Sequence, residues 1–168
     1  MFRGEQVAEW AVNPMRGAEL GVARGKFTEY LLKRFPALHM VAVDEWIVRP
    51  RTDAPGCETY AAWDFVGMKA DYFTAMQPFG ERVTTLEMDT VEAAGRVPDG
   101  SLDFVFIDAD HTYEGVRDDI AAWRCKIKPG GVLCGHDYYG SWPGVIKAVG
   151  EIGLPVVRGG DVTWMVRL

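Results

Sequence analysis

Ala18-Glu19-Leu20-Gly21-Val22-Ala23-Arg24-Gly25-Lys26 reads as the end of a strand, a turn and the first residue of a helix. Phe27, Tyr30, Leu31 and Phe35 then recur at helical spacing until Pro36 stops the run. Two glycines four apart in such a turn serve either a ligand lying close to the backbone or a tight structural turn, and by themselves do not separate the two. The stretch is neither the G-x-G-x-x-G of nicotinamide enzymes nor a loop ending in G-K-[ST] that would hold a triphosphate. Glu19 at the strand end suits the amino group of an amino-acid-like ligand and would repel a pyrophosphate.

Working outward, short apolar runs alternate with helical-period segments, the pattern of an α/β fold with a parallel sheet and crossover helices. Met40-Val41-Ala42-Val43-Asp44 is the second strand, and a loop follows from about Trp46 to Thr59. Phe65, Lys69, Tyr72, Phe73 and Met76 mark a helix, Arg82 to Met88 a strand, and Leu102 to Ile107 a strand apolar enough to be buried on both faces. Val116, Ile120, Trp123 and Ile127 form one helical stripe ended by Pro129-Gly130-Gly131, and Val132-Leu133-Cys134 is the next strand. The last two strands are Val156-Val157 and Val162 to Val166, joined at Gly159-Gly160-Asp161, which gives the sheet one antiparallel strand near its edge.

Asp44, about 20 residues beyond the glycine turn, stands where open α/β sheets place a carboxylate on both ribose hydroxyls; a solvated strand end is the plain alternative. Trp46 covers an adenine ring or packs on the core. Asp89-Thr90 marks an adenine edge, or Asp89 caps a helix. The run Phe106-Ile107-Asp108-Ala109-Asp110-His111-Thr112-Tyr113 ends one strand in two carboxylates and a histidine, and Gly135-His136-Asp137-Tyr138 ends the next. Neighbouring parallel strands lie about 4.8 Å apart, so these side chains converge on one small ion or else cap helices and bond one another. Two of the three histidines fall here. A carboxylate-rich set without thiolates suits magnesium or manganese better than zinc. His39, before an apolar strand, is structural or merely exposed.

A chain of 168 residues with formal net charge -6 fits one domain and offers no basic face for nucleic acid. Residues 1–15 form a short segment before the first strand. Cys57, Cys125 and Cys134 are odd in number and lack C-x-x-C spacing, which points to a reducing cytoplasm. No apolar run suggests export or a membrane.

The joint pattern from Leu102 to Val116, then Lys126-Ile127-Lys128-Pro129-Gly130-Gly131-Val132-Leu133, then Gly135-His136-Asp137-Tyr138 resembles class I S-adenosylmethionine methyltransferases, in their catechol O-methyltransferase-like and macrolide-sugar O-methyltransferase-like branch. The resemblance covers nearly the whole chain. It implies a Rossmann-like three-layer sandwich with a seven-stranded, mostly parallel sheet whose last strand is antiparallel. It places Glu19, Gly21, Val22 and Gly25 around the methionine part of S-adenosylmethionine and Asp44 with Glu45 on its ribose. Asp89, Thr90, Asp108 and Asp110 complete the cofactor set. It implies a magnesium or manganese ion on Asp108, His136 and Asp137, with His136 standing where an acidic residue is usual. His111 matches the position that takes the proton from a substrate hydroxyl, so His111 and Asp108 are the expected catalytic pair. The N-terminal helices that cover substrate in the family are expected to be largely absent. That leaves the loop from Trp46 to Thr59, the segment Tyr138 to Trp142 or a second subunit to cover a small-molecule acceptor. A cofactor-binding module without catalysis and a metal-dependent hydrolase using Asp108, Asp110, His111, His136 and Asp137 are the rival readings.

Overall fold

Leu102–Ile107 carries apolar side chains at every position but Asp103, and in the computed structural model it is the central strand β4 of a seven-stranded sheet. The structure describes residues 2–47 and 63–168. The strands are β1 (Arg16–Leu20), β2 (His39–Val43), β3 (Val83–Leu86), β4, β5 (Ile127–Gly135), β6 (Val157–Arg158) and β7 (Trp164–Arg167), in the order β3-β2-β1-β4-β5-β7-β6. β1 to β5 run parallel, while β7 lies antiparallel between β5 and β6.

Side chains alternate across the pleat, so a strand buried on both faces feeds two cores. Phe104 and Phe106 point to one face with Met40, Ala42, Val132, Cys134 and Met165. Val105 and Ile107 point to the other with Ala18, Leu20, Val43 and Leu133. The first face is covered by α1 (Arg3–Trp10), α2 (Lys26–Arg34) and α3 (Phe65–Met76), through Val7, Trp10, Phe27, Leu31, Tyr72 and Met76. Phe27 stacks on Phe106 with ring centroids 4.2 Å apart. The second is covered by α4 (Thr90–Ala94), α5 (Tyr113–Trp123) and α6 (Pro143–Gly150).

Helix ends follow local chemistry. Phe35 terminates α2 in an extended conformation, as a residue before proline must. Thr112 caps α5 by accepting from the Gly115 N–H at 3.1 Å. The stripe Val116, Ile120 and Trp123 is buried as its spacing predicts, but the helix stops at Trp123. A single 3₁₀ turn over Arg124–Lys126 follows, and Ile127 opens β5 opposite Leu102. Pro129-Gly130-Gly131 therefore sits within strand pairing, where a register shift between Leu102 and Phe104 accommodates it. Val162 likewise lies outside β7, in a turn at φ 48.

Before β1 stands one helix, α1, whose Val7 and Trp10 are buried and whose carbonyl at Trp10 accepts from Arg167 at 3.1 Å. Most of the expected loop from Trp46 to Thr59 lies outside the described residues. Among the described residues no helix is long and apolar enough to cross a membrane.

Candidate functional site

The parallel strands end side by side, and backbone bonds lock those ends together. The Gly21 N–H donates to the Val43 carbonyl at 2.8 Å, the Asp108 N–H to Leu20 at 2.8 Å and the His136 N–H to Ile107 at 3.1 Å. The carboxyl edge of β1, β2, β4 and β5 thus gathers Glu19, Asp44, Asp108, His136 and Asp137, at the edge where open α/β sheets hold ligands.

Both glycines of the first turn are required by the protein itself. Gly21 has φ 84, and a Cβ there would lie 2.3 Å from the Asp108 carbonyl oxygen. Gly25 caps α2 at φ 75, with Tyr72 2.8 Å from where its Cβ would be. Glu19 is buried and accepts from the Thr28 hydroxyl at 2.5 Å. Burial pushes its pKa up to about 8 against that hydrogen bond, so it holds a proton at neutral pH. Asp44 accepts from the Ala23 and Trp46 N–H groups, each at 2.8 Å, and burial raises its pKa despite these bonds. It braces the glycine turn from the neighbouring strand. Val22 is a core residue whose carbonyl receives the Gly25 N–H, and Glu45 is half-buried beside Asp44. Trp46 packs on the core, tilted against Tyr72 with centroids 5.0 Å apart and bonded through its indole N–H to the Ala23 carbonyl. His39 is exposed.

Three expected cofactor positions also hold local structure together. Asp89 is the cap of α4, accepting from the Val91 and Glu92 N–H groups at 2.8 and 3.1 Å. Thr90 donates its hydroxyl to the buried Asp119 at 2.5 Å, and its carbonyl receives the Trp123 indole N–H. Asp110 accepts from the Thr112 N–H and hydroxyl at 3.0 and 2.8 Å, shaping the entry to α5.

At the ends of β4 and β5 the expected catalytic groups do meet. His111 Nε2 lies 2.5 Å from Asp137 Oδ2 and 3.6 Å from Asp108 Oδ1. His136 Nδ1 lies 3.1 Å from Asp137 Oδ2 and 3.8 Å from Asp108 Oδ1. Asp137 adopts φ 59, a left-handed conformation that aspartate tolerates better than most residues. Burial opposes a charge on His111, but the two carboxylates outweigh it and raise its pKa to about 9. His136 is raised in the same way, and against the effect of burial the two imidazoles hold the half-buried Asp137 carboxyl well below the usual range. Trp142 covers the His111 ring with centroids 4.7 Å apart. A cavity of ≈ 10 Å³ between Ile107, His111, His136 and Trp164 has room for about one water.

Arg3 is the participant that sequence reasoning missed. Its guanidinium reaches Asp108 Oδ2 at 3.1 Å from the first turn of α1. Nothing in its local sequence marks it, because the contact joins residues more than a hundred positions apart.

Asp108, His111 and Asp137 offer ligand atoms within 4.8 Å of one another, with His111 rather than His136 in the trio. The donor set nonetheless fits a hard dication poorly. Magnesium and manganese prefer a shell of oxygens, whereas this cluster supplies two carboxylates among two imidazoles. One of those carboxylates already faces a fixed guanidinium. The expected ion on Asp108, His136 and Asp137 therefore contributes no step to the chemistry below.

A family model described as a methyltransferase domain matches residues 18–138. No curated protein sequence matches the chain. Among solved structures, the chain superposes on the O-methyltransferase NovP with a TM-score of 0.74 at 16% identity, covering 98% of this chain and 78% of that one. CalS11, a TDP-rhamnose 3'-O-methyltransferase of calicheamicin biosynthesis, gives 0.66 at 15% identity over 98% and 76%. A Burkholderia thailandensis 1,6-didemethyltoxoflavin-N1-methyltransferase with bound S-adenosylhomocysteine gives 0.65 at 12% identity over 98% and 74%.

Proposed function

Since the chain belongs to the methyltransferase-domain family, within the class I S-adenosylmethionine-dependent enzymes, we propose that it moves the methyl group of S-adenosylmethionine to an oxygen of a hydroxylated small molecule. The observation that carries the oxygen acceptor is His111 beside the cofactor edge, its Nε2 set between two carboxylates.

Glu19 receives the amino group of the cofactor and Asp44 its ribose, each from the end of a strand flanking the glycine turn. The acceptor lies against Trp142 and His111. In the transfer, a new carbon–oxygen bond forms as the carbon–sulfur bond breaks, and the electron pair returns to sulfur to give S-adenosylhomocysteine. Alignment of oxygen, carbon and sulfur supplies about 7 kcal/mol or more of the rate enhancement. The hydroxyl proton goes to the imidazole of neutral His111, and Asp137 and Asp108, both beside Nε2, stabilise the imidazolium it becomes.

Calorimetric titration with S-adenosylmethionine, followed by incubation with diols, sugars and phenols read by mass spectrometry, tests this. Cofactor binding with a gain of one methyl on a hydroxylated acceptor is expected. Binding without transfer to any acceptor would leave only a cofactor-binding module, and no heat of binding would remove the proposal altogether.

A further inference from the structure

The N-terminal helix does more than cover a hydrophobic face. Its first turn is tied to the carboxyl edge of the sheet by three separate contacts: the Arg3 guanidinium to Asp108, the Arg3 N–H to Asp161 Oδ2 at 3.2 Å, and the Gly160 N–H to Gln6 Oε1 at 3.0 Å. Asp161 Oδ2 in turn lies 3.9 Å from His136 Nε2, so the turn between β6 and β7 links Arg3 to the far side of the same cluster. Phe2 sets the approach by packing edge-on against Tyr30 of α2, with centroids 5.4 Å apart.

A guanidinium keeps its charge at every working pH and can never become a metal ligand. Held at 3.1 Å from a carboxylate whose side chain is 10% exposed, it neutralises Asp108 where water screens little. A dication on the same carboxylate would have to sit next to this fixed positive charge. We propose that Arg3 is the resident cation of the site, taking the place of a divalent metal on Asp108 and making methyl transfer metal-independent. Arg3 acts through Asp108 and is a positioning residue.

The part of this inference concerning turnover rests on the methyltransferase reading; the part concerning metal binding does not. Manganese titration followed by electron paramagnetic resonance is therefore run on the wild type, on Asp108→Asn, on Arg3→Met and on Arg3→Met combined with Asp108→Asn, alongside turnover with and without EDTA. The wild type is expected to show no saturable manganese site and to keep its turnover in EDTA. Arg3→Met is expected to bind manganese about tenfold or more tightly than wild type, and the added Asp108→Asn to abolish that gain. A wild-type site lost on Asp108→Asn, a turnover that EDTA removes, or a folded Arg3→Met that gains no manganese would each overturn the proposal. Should Arg3→Met fail to fold, the wild-type titration still decides it. Absence of S-adenosylmethionine binding would sink the methyltransferase reading while the manganese result still judged Arg3.

Discussion

His111 Nε2 and Asp137 Oδ2 lie 2.5 Å apart, an imidazole and a carboxylate brought together from beyond the ends of adjacent strands. With its pKa raised to about 9, only about one His111 in a hundred is neutral at pH 7. Turnover is expected to climb about tenfold per pH unit from 7 and to level off near 9. His111→Ala is expected to spare cofactor affinity and depress turnover. Asp137→Asn removes the nearer carboxylate and moves the midpoint of the profile downward. A pH–rate profile already flat above about 6.5, the ordinary histidine value, would count against the role.

The same pair makes stability depend on pH. The imidazole is more basic folded than unfolded, so its contribution is complete below about 6.5 and is lost as pH rises through about 9. Denaturant titrations of the wild type and His111→Ala across that window are expected to converge as pH rises.

Glu19 behaves in a related way with a different readout. Its carboxyl is protonated up to about pH 8 because burial disfavours the anion, and a cationic ligand beside it would favour ionisation. Binding of S-adenosylmethionine near pH 7 is therefore expected to release protons, seen as a heat that varies with the ionisation enthalpy of the buffer. Glu19→Gln is expected to weaken binding and abolish the share of that proton release that comes from Glu19. The variant is also expected to be more stable than wild type above pH 8, because no buried charge then forms. Identical proton release in both proteins would refute the assignment.

Gly21→Ala places a methyl group against the Asp108 carbonyl at a backbone angle that alanine rarely adopts. The conformation alone costs about 1–3 kcal/mol, and the contact adds to it. A lowered Tm with weakened cofactor binding is the expected result.

Asp89→Ala separates a cap from a cofactor contact. Loss of the two N–H bonds at the start of α4 costs about 1 kcal/mol of stability. Affinity for S-adenosylmethionine is expected to stay within twofold of wild type; a larger fall would restore Asp89 to the cofactor site.

The alternation of apolar runs and helical stripes was enough to read the strand sequence and the antiparallel end of the sheet, because periodicity is a local property of the chain. Convergence of Asp108, His111, His136 and Asp137 was legible for the same reason: each sits just past an apolar strand, and parallel neighbours bring such ends together. The stop of α5 at Trp123 was not, since Ile127 satisfies both a helical stripe and the start of a strand, and pairing with Leu102 decides between them. Asp110, Asp89 and Thr90 carry the residue types of a binding site and of a cap alike, and their hydrogen-bond partners are visible only in the fold. Arg3 was invisible because its meaning lies wholly in a distant partner.

The contacts of α1 reach across more than 150 positions of the sequence: Arg3 to Asp161, Gln6 to Gly160 and Trp10 to Arg167. Contacts of such long sequence separation form late, after loop closure has been overcome. During synthesis α1 must wait for β6 and β7, which are made more than a hundred residues later. The chain can thus carry a nearly finished sheet, glycine turn and Asp44 included, before Arg3 reaches Asp108. The Arg3–Asp108 contact is therefore expected to close late, once β7 lies between β5 and β6.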